Sequence, residues 1–121
     1  MDITGKRILV IGGAGFIGSH VVAELLKTDV ASVTIYDNFM RGKLSNVASY
    51  LEDSRCNLYP HGGDIRDVDV LNDAVQKADG VIHLAAMWLL HCKDFPRTAF
   101  HVNIEASFNI LALLTGLLVE F

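Results

Sequence analysis

The chain has 121 residues, 51% of them apolar and 20% charged, with a net charge of -4. That size and balance fit one compact domain with a full core and exclude a disordered chain. No basic run interrupts the acidic balance, which argues against nucleic acid as a partner, because phosphate binding calls for clustered Lys and Arg.

Met1 to Arg7 shows no signal peptide, and the apolar run behind it is short and ends in glycines. The most apolar stretch, Ile110 to Val119, is broken by Thr115 and Gly116 and is about half a membrane span. Cys56 and Cys92 stand far apart, outside any Cys-x-x-Cys spacing. A cytoplasmic protein with two reduced thiols and no membrane partner is expected.

Two kinds of segment alternate along the chain. Ile8-Leu9-Val10-Ile11 is an unbroken apolar run, as a strand buried on both faces requires. After the glycines, Ile17, Val21, Val22, Leu25 and Leu26 recur at helical spacing up to Lys27, and Val33-Thr34-Ile35-Tyr36 is a second β-branched run stopped by Asp37-Asn38. Leu44, Val47, Ala48 and Leu51 predict a short amphipathic helix. Leu58-Tyr59 predicts a third strand, placed at a sheet edge because Pro60 follows it.

Asp67 is a candidate N-cap for a helix bearing Val68, Leu71, Val75 and Ala78. Val81-Ile82-His83-Leu84-Ala85-Ala86 reads as the fourth strand and its exit. Pro96 opens a last helix whose face is Phe100, Ile104, Phe108 and Leu111, with Gly116 as its stop. Four strands alternating with four helices predict one α/β domain over residues 1–121: a Rossmann-type parallel sheet with helices on both faces.

The chemistry begins after the first strand. Gly13-Ala14-Gly15-Phe16-Ile17-Gly18 satisfies G-x-G-x-x-G, and Gly12, Gly15 and Gly18 give G-x-x-G-x-x-G. The context, strand before and helix after, makes the pattern meaningful. The turn would let a pyrophosphate approach the backbone at Gly15, with Gly18 allowing helix and strand to pack closely. The helix N-terminus would then offer N–H groups to the phosphates. Asp37, nineteen positions after Gly18 at the end of the second strand, is placed to accept from adenosine ribose hydroxyls and to repel a 2′-phosphate. That favours NAD over NADP, although Arg41 stands close enough to accept such a phosphate. The plain alternative is a glycine-requiring turn with Asp37 capping a loop.

With "GGAGFIGSH", "YDN", "GDIRD", "HLAA" and "VNIEASFNIL" in this order and spacing, the chain resembles the extended short-chain dehydrogenase/reductase superfamily. The likeness is to the N-terminal portion of its NAD-dependent epimerase/dehydratase family (UDP-glucose 4-epimerase-like), over nearly the whole chain. The resemblance implies strand order 3-2-1-4. It also implies NAD as cofactor, with Gly12, Gly15 and Gly18 at the pyrophosphate and the backbone of Phe16 and Ile17 close by. It assigns Asp37, helped by Asn38, to the ribose, Asp64 and Ile65 to the adenine, and Leu84, Ala85 and Ala86 to the stretch beneath phosphate and ribose. Asn103 matches the asparagine that steadies the nicotinamide end.

On their residues alone, Asp64 reads equally as a turn residue, Ala85 and Ala86 as small core residues, and Asn103 as a polar helix position. His83, in an apolar strand, reads as a hydrogen-bonded structural histidine. His61, His91 and Cys92 lack a metal-ligand spacing, so no metal is expected. Trp88-Leu89-Leu90 departs from the family's more polar stretch, and either lines a pocket or packs.

Family chemistry also implies a tyrosine acid/base with a lysine four positions on. Tyr36 is followed at that spacing by Met40, Tyr50 by Ser54 and Tyr59 by Gly63, so this chain offers no catalytic pair. The expectation is therefore an N-terminal fragment, ending before or within a fifth strand. It would bind NAD weakly and be inactive alone, with a nucleotide sugar as the substrate of the longer protein. An exposed edge at Val81 to Leu84, and Phe108, Leu111, Leu114 and Leu118 on the last helix, predict self-association or a homo-oligomer. The alternatives are a hydroxysteroid-type dehydrogenase of the same superfamily and a non-catalytic dinucleotide-binding module.

Overall fold

A computed structural model describes residues 2–116. Four parallel strands form one sheet in the order β3-β2-β1-β4: β1 is Arg7–Ile11, β2 Ser32–Tyr36, β3 Cys56–Leu58 and β4 Gly80–His83. This is the expected order with β3 at the edge, although the strand runs over Cys56–Leu58 where Leu58-Tyr59 was expected, so that Tyr59 falls just past its end.

Alternation along β1 explains the two layers. Leu9 and Ile11 face one core with Tyr36, Leu71, Ala74, Ile110 and Leu113; Ile8 and Val10 face the other with Val22, Leu25, Val33 and Ile35. A strand buried on both faces must be apolar throughout, which is what the run at 8–11 signals.

Helix α1 (Phe16–Leu26) covers one face and ends at Lys27. Helix α2 (Val68–Gln76) covers the other, capped at its start by the Asp67 carboxylate, which accepts from the Val70 N–H at 3.3 Å. Helices α3 (Leu89–Asp94) and α4 (Pro96–Phe100) follow β4, and a wide π turn over His101–Glu105 leads into α5 (Ala106–Leu114). Gly116, at φ +80°, ends α5 in the left-handed conformation that glycine adopts readily.

The middle of the chain departs from expectation. The helix predicted from Leu44 to Leu51 is instead two 3-10 turns, Leu44–Asn46 and Tyr50–Glu52. The start of this segment is pulled against the glycine turn, where Lys43 N–H and the Asn46 side-chain amide both donate to the Ala14 carbonyl. Ser45, Asn46 and Ser49 add little helix propensity to resist that.

The short α3 was not anticipated. Along the last helical stretch Ala106, Ile110 and Leu113 face inward, while Phe100, Ile104, Phe108 and Leu111 are exposed, Phe108 and Leu111 as expected. This helix is apolar nearly all round, so spacing alone does not choose its inner face. Ala106, Ile110 and Leu113 share the core with Leu9, Ile11 and Leu71. Leu114 is exposed as expected, and Leu118 lies outside the described residues.

Candidate functional site

The C-terminal ends of β1, β2 and β4 open onto a cleft of about 630 Å³. In a parallel α/β sheet this end collects ligands, at the point where strand order reverses. Here the reversal falls between β1 and β4.

The turn after β1 forms the floor, and its glycines differ in what they do. Gly12 has φ +86°, and a Cβ there would lie 2.8 Å from the Ala85 backbone nitrogen. A Cβ on Gly18 would collide with the Gly12 carbonyl oxygen. These two glycines are required by the fold itself.

Gly15 is not. Its φ is an ordinary -75°, and a Cβ would find only the Gly12 carbonyl oxygen, at 3.4 Å, an ordinary contact. Gly15 stands at the start of α1, on the cleft. Neither backbone conformation nor packing within the chain demands a glycine at this position. Phe16 (80% exposed) and Ile17 extend this wall.

Asp37 follows β2 and is tied to the turn. One carboxylate oxygen accepts from the Ala14 N–H at 3.0 Å, and the other from the Phe39 N–H at 2.8 Å. The loop-capping reading of Asp37 is thus realised. A carboxylate has about four acceptor positions, so two remain available toward the cleft. Gly42 and Gly63 make room around it: a Cβ on Gly42 would lie 2.9 Å from the Asp37 carboxylate, and one on Gly63 would strike the Asp37 carbonyl. Asn38 lines the cleft as well, its side-chain oxygen taking the Met40 N–H at 3.0 Å.

Asp64 and Ile65 close the β3 side. The Arg66 guanidinium grips the Asp64 carboxylate and holds its pKa below the usual carboxylate range. The buried Tyr36 hydroxyl donates to the Asp64 carbonyl at 2.8 Å and fixes this corner. The Ile65 side chain packs into the core while the residue still borders the cleft.

On the β4 side Leu84, Ala85 and Ala86 form the wall, and both alanines border the cleft. Asn103 is not among the lining residues. Its side-chain oxygen accepts from the Met87 N–H at 2.6 Å, and its amide donates to the Met87 carbonyl at 3.4 Å. It therefore holds the end of the wall from behind.

His83, at the end of β4, bonds Ser107 Oγ through Nε2 at 2.9 Å. Ser107 spends its own proton on the Asn103 carbonyl, so Nε2 is the protonated nitrogen and the buried Nδ1 is left without a partner. Burial pushes the His83 pKa down, disfavouring the charged imidazolium. This is the structural histidine expected.

Twelve of the thirteen sequence-nominated residues thus border one cleft. Sequence reasoning missed Met87, Arg66 and Thr98, which border it too. Arg66 was visible as the arginine of "GDIRD" (its partner two residues away), whereas Met87 and Thr98 carry no local signal.

Comparison with known proteins agrees with this architecture. The pattern of the 3-beta hydroxysteroid dehydrogenase/isomerase family matches residues 9–120. The chain belongs to that family. Its relatives place it with the NAD-dependent epimerases and dehydratases, as the motifs implied. It is 32% identical over 111 residues to UDP-glucuronic acid decarboxylase 6 of Arabidopsis thaliana, covering 91% of this chain and 30% of the relative. It is 43% identical over 82 residues to UDP-N-acetyl-alpha-D-glucosaminuronate decarboxylase of Bacillus cytotoxicus, covering 68% and 24%. Among solved structures, DesIV (dTDP-glucose 4,6-dehydratase) of Streptomyces venezuelae, with NAD and TYD bound, superposes with a TM-score of 0.78 at 31% identity, covering 88% of this chain and 35% of that one. The chain thus spans about a third or less of the length of the curated relatives it matches. Among the described residues no helix is long and apolar enough to cross a membrane.

Proposed function

We propose that residues 1–121 form the NAD-binding portion of a nucleotide-sugar epimerase or dehydratase. The observation that carries this reading is Gly15: a glycine that neither backbone conformation nor packing demands, bordering a cleft that Asp37 also faces. Relatives whose names specify UDP-sugars, and a structural neighbour holding NAD, support it.

The residues suit that cofactor. The turn at Gly12, Gly15 and Gly18 would receive the pyrophosphate, with the backbone of Phe16 and Ile17 beside it. Asp37 and Asn38 would hold the adenosine ribose, and Asp64 and Ile65 would border the adenine. Leu84, Ala85 and Ala86 would lie beneath the phosphate and ribose, and Asn103 would steady the nicotinamide end. Bound NAD supplies a hydride acceptor. None of the three tyrosines has a lysine four residues on, so these residues carry binding and not the acid/base step. Alone, the chain binds NAD weakly, is inactive and self-associates, in keeping with a cytoplasmic homo-oligomeric enzyme.

Titration calorimetry with NAD and NADP tests this reading. NAD should bind more tightly, because Asp37 repels a 2′-phosphate, and Gly15→Val should abolish binding while leaving the melting temperature near that of the native chain. Unchanged NAD affinity in Gly15→Val would sink the assignment. A second reading, a dehydrogenase acting on a hydroxysteroid or other apolar alcohol, is favoured by the family match and by the exposed Trp88 at the cleft. Saturation-transfer NMR comparing UDP-glucose with a hydroxysteroid in the presence of NAD separates the two.

A further inference from the structure

The loops that follow β2 and β4 touch one another across the cleft. Because β1 lies between those strands, any contact from residue 41 to residue 88 must pass over the end of β1, where the glycine turn begins. Such a contact exists. The Arg41 guanidinium carbon sits 4.6 Å from the centroid of the Trp88 ring, within cation–π range. Both side chains border the cleft together with Gly12, Gly15 and Gly18. The His91 ring meets the Trp88 indole edge-on at 5.7 Å and helps set its plane.

Charge gives this bridge a purpose. The glycine turn offers N–H groups but no formal charge, whereas a nucleoside diphosphate brings at least two negative charges. Of the arginines at the cleft, Arg66 is committed to Asp64, and Arg41 makes no ion pair among the described residues. A guanidinium is a planar fork suited to two phosphate oxygens, and stacking one face on an aromatic ring leaves its edge N–H groups free to donate.

We propose that Arg41 and Trp88 form a clasp over the pyrophosphate: Trp88 holds the guanidinium across the cleft, and Arg41 donates from above to the diphosphate resting on the glycine turn. The clasp rests on the dinucleotide reading of the cleft. Arg41 is then a binding residue and Trp88 a positioning residue acting through it.

Trp88 is the single tryptophan of the chain, so its fluorescence reports on the clasp directly. The full chain is titrated with NAD, ADP and adenosine by calorimetry and by tryptophan emission. ADP should shift the emission, and adenosine, which lacks phosphate, should leave it unchanged. Arg41→Ala and Trp88→Ala should each weaken ADP and NAD about tenfold, the loss of one charge-assisted contact, and change adenosine less than about twofold. The double variant should bind no more weakly than the weaker single one, because the two residues act as a unit.

Trp88→Phe should restore most of the ADP affinity, and Arg41→Lys only part of it, since charge remains but the fork is lost. Melting curves of these two variants guard against misfolding. ADP affinity that both single alanine variants leave unchanged, additive losses in the double variant, or equal loss of adenosine and ADP would each overturn the clasp alone. A native chain that binds neither NAD nor ADP would overturn the dinucleotide reading, and the clasp with it.

Discussion

Ile35 in β2 and Ile82 in β4 flank the same residue, Val10, and point into the same layer, yet Ile35 is 1% exposed and Ile82 only half-buried. The contrast extends to everything around them. On the β2 side, Asp37 ties the glycine turn to the loop beyond, and Tyr36 reaches Asp64. Arg55 donates to the carbonyls of Leu26 and Thr28 at the end of α1. On the β4 side, all four strand residues are half-buried, and the last helix turns large apolar side chains outward, among them Phe108 at 61% exposure and Leu111 at 63%. One half of the sheet is sealed by its own residues, and the other keeps an apolar surface uncovered among the described residues. The β2 side of the cleft is accordingly the firmer one.

The comparison can be broken or sharpened by substitution. The largest effect should come from Gly18→Ala, which drives a Cβ into the Gly12 carbonyl and should cost about 3 kcal/mol or more in urea unfolding. Next stands the matched pair: Ile35→Ala should cost about 3–4 kcal/mol and Ile82→Ala about half as much, because less surface is removed from water at the second site. Equal losses would erase the distinction between the two sides.

A smaller effect concerns His83. Its folded pKa lies below the ordinary 6.5, so the unfolded chain takes up this proton first on acidification. Stability should be full above pH 6.5 and should fall as pH drops from there toward the folded pKa, with no further loss below it. The slope should not exceed about 1.4 kcal/mol per pH unit, the limit for one proton. His83→Gln keeps a donor for Ser107 and should remove this component; the same slope in both proteins would assign it elsewhere. Least of all, Phe108→Lys together with Leu111→Lys should change stability by only about 0.5 kcal/mol each. The same pair should lower the sedimenting mass if that outer face mediates self-association.

Much of the fold is legible because burial on both faces forces a readable pattern. The runs at Ile8–Ile11 and Val33–Tyr36, the cap at Asp67 and the edge position beside Pro60 each follow from one local rule. The cleft is legible in its floor for the same reason: glycines at Gly12 and Gly18 are backbone requirements. Where several tertiary contacts compete, the pattern is silent. The winding of Leu44 to Glu52 depends on the Ala14 carbonyl, thirty residues away. Asn103 stands behind the wall and not in it, a matter of where a π turn falls. The meeting of Arg41 with Trp88 depends on β1 separating their strands. The inner face of α5 is set by the core it shares with Leu9, Ile11 and Leu71, which spacing on one helix does not show.

The wide turn at His101–Glu105 has a mechanical side. Its Asn103 carbonyl takes the Ser107 proton, Ser107 in turn holds His83, and the Asn103 side chain holds Met87. The wall from Leu84 to Ala86 is thus slung between two anchors, one at each end, and both anchors are fixed to the same helical rod. That rod carries Phe108 and Leu111 on its far side. The apolar outer face and the wall of the cleft are therefore borne by one continuous helical stretch.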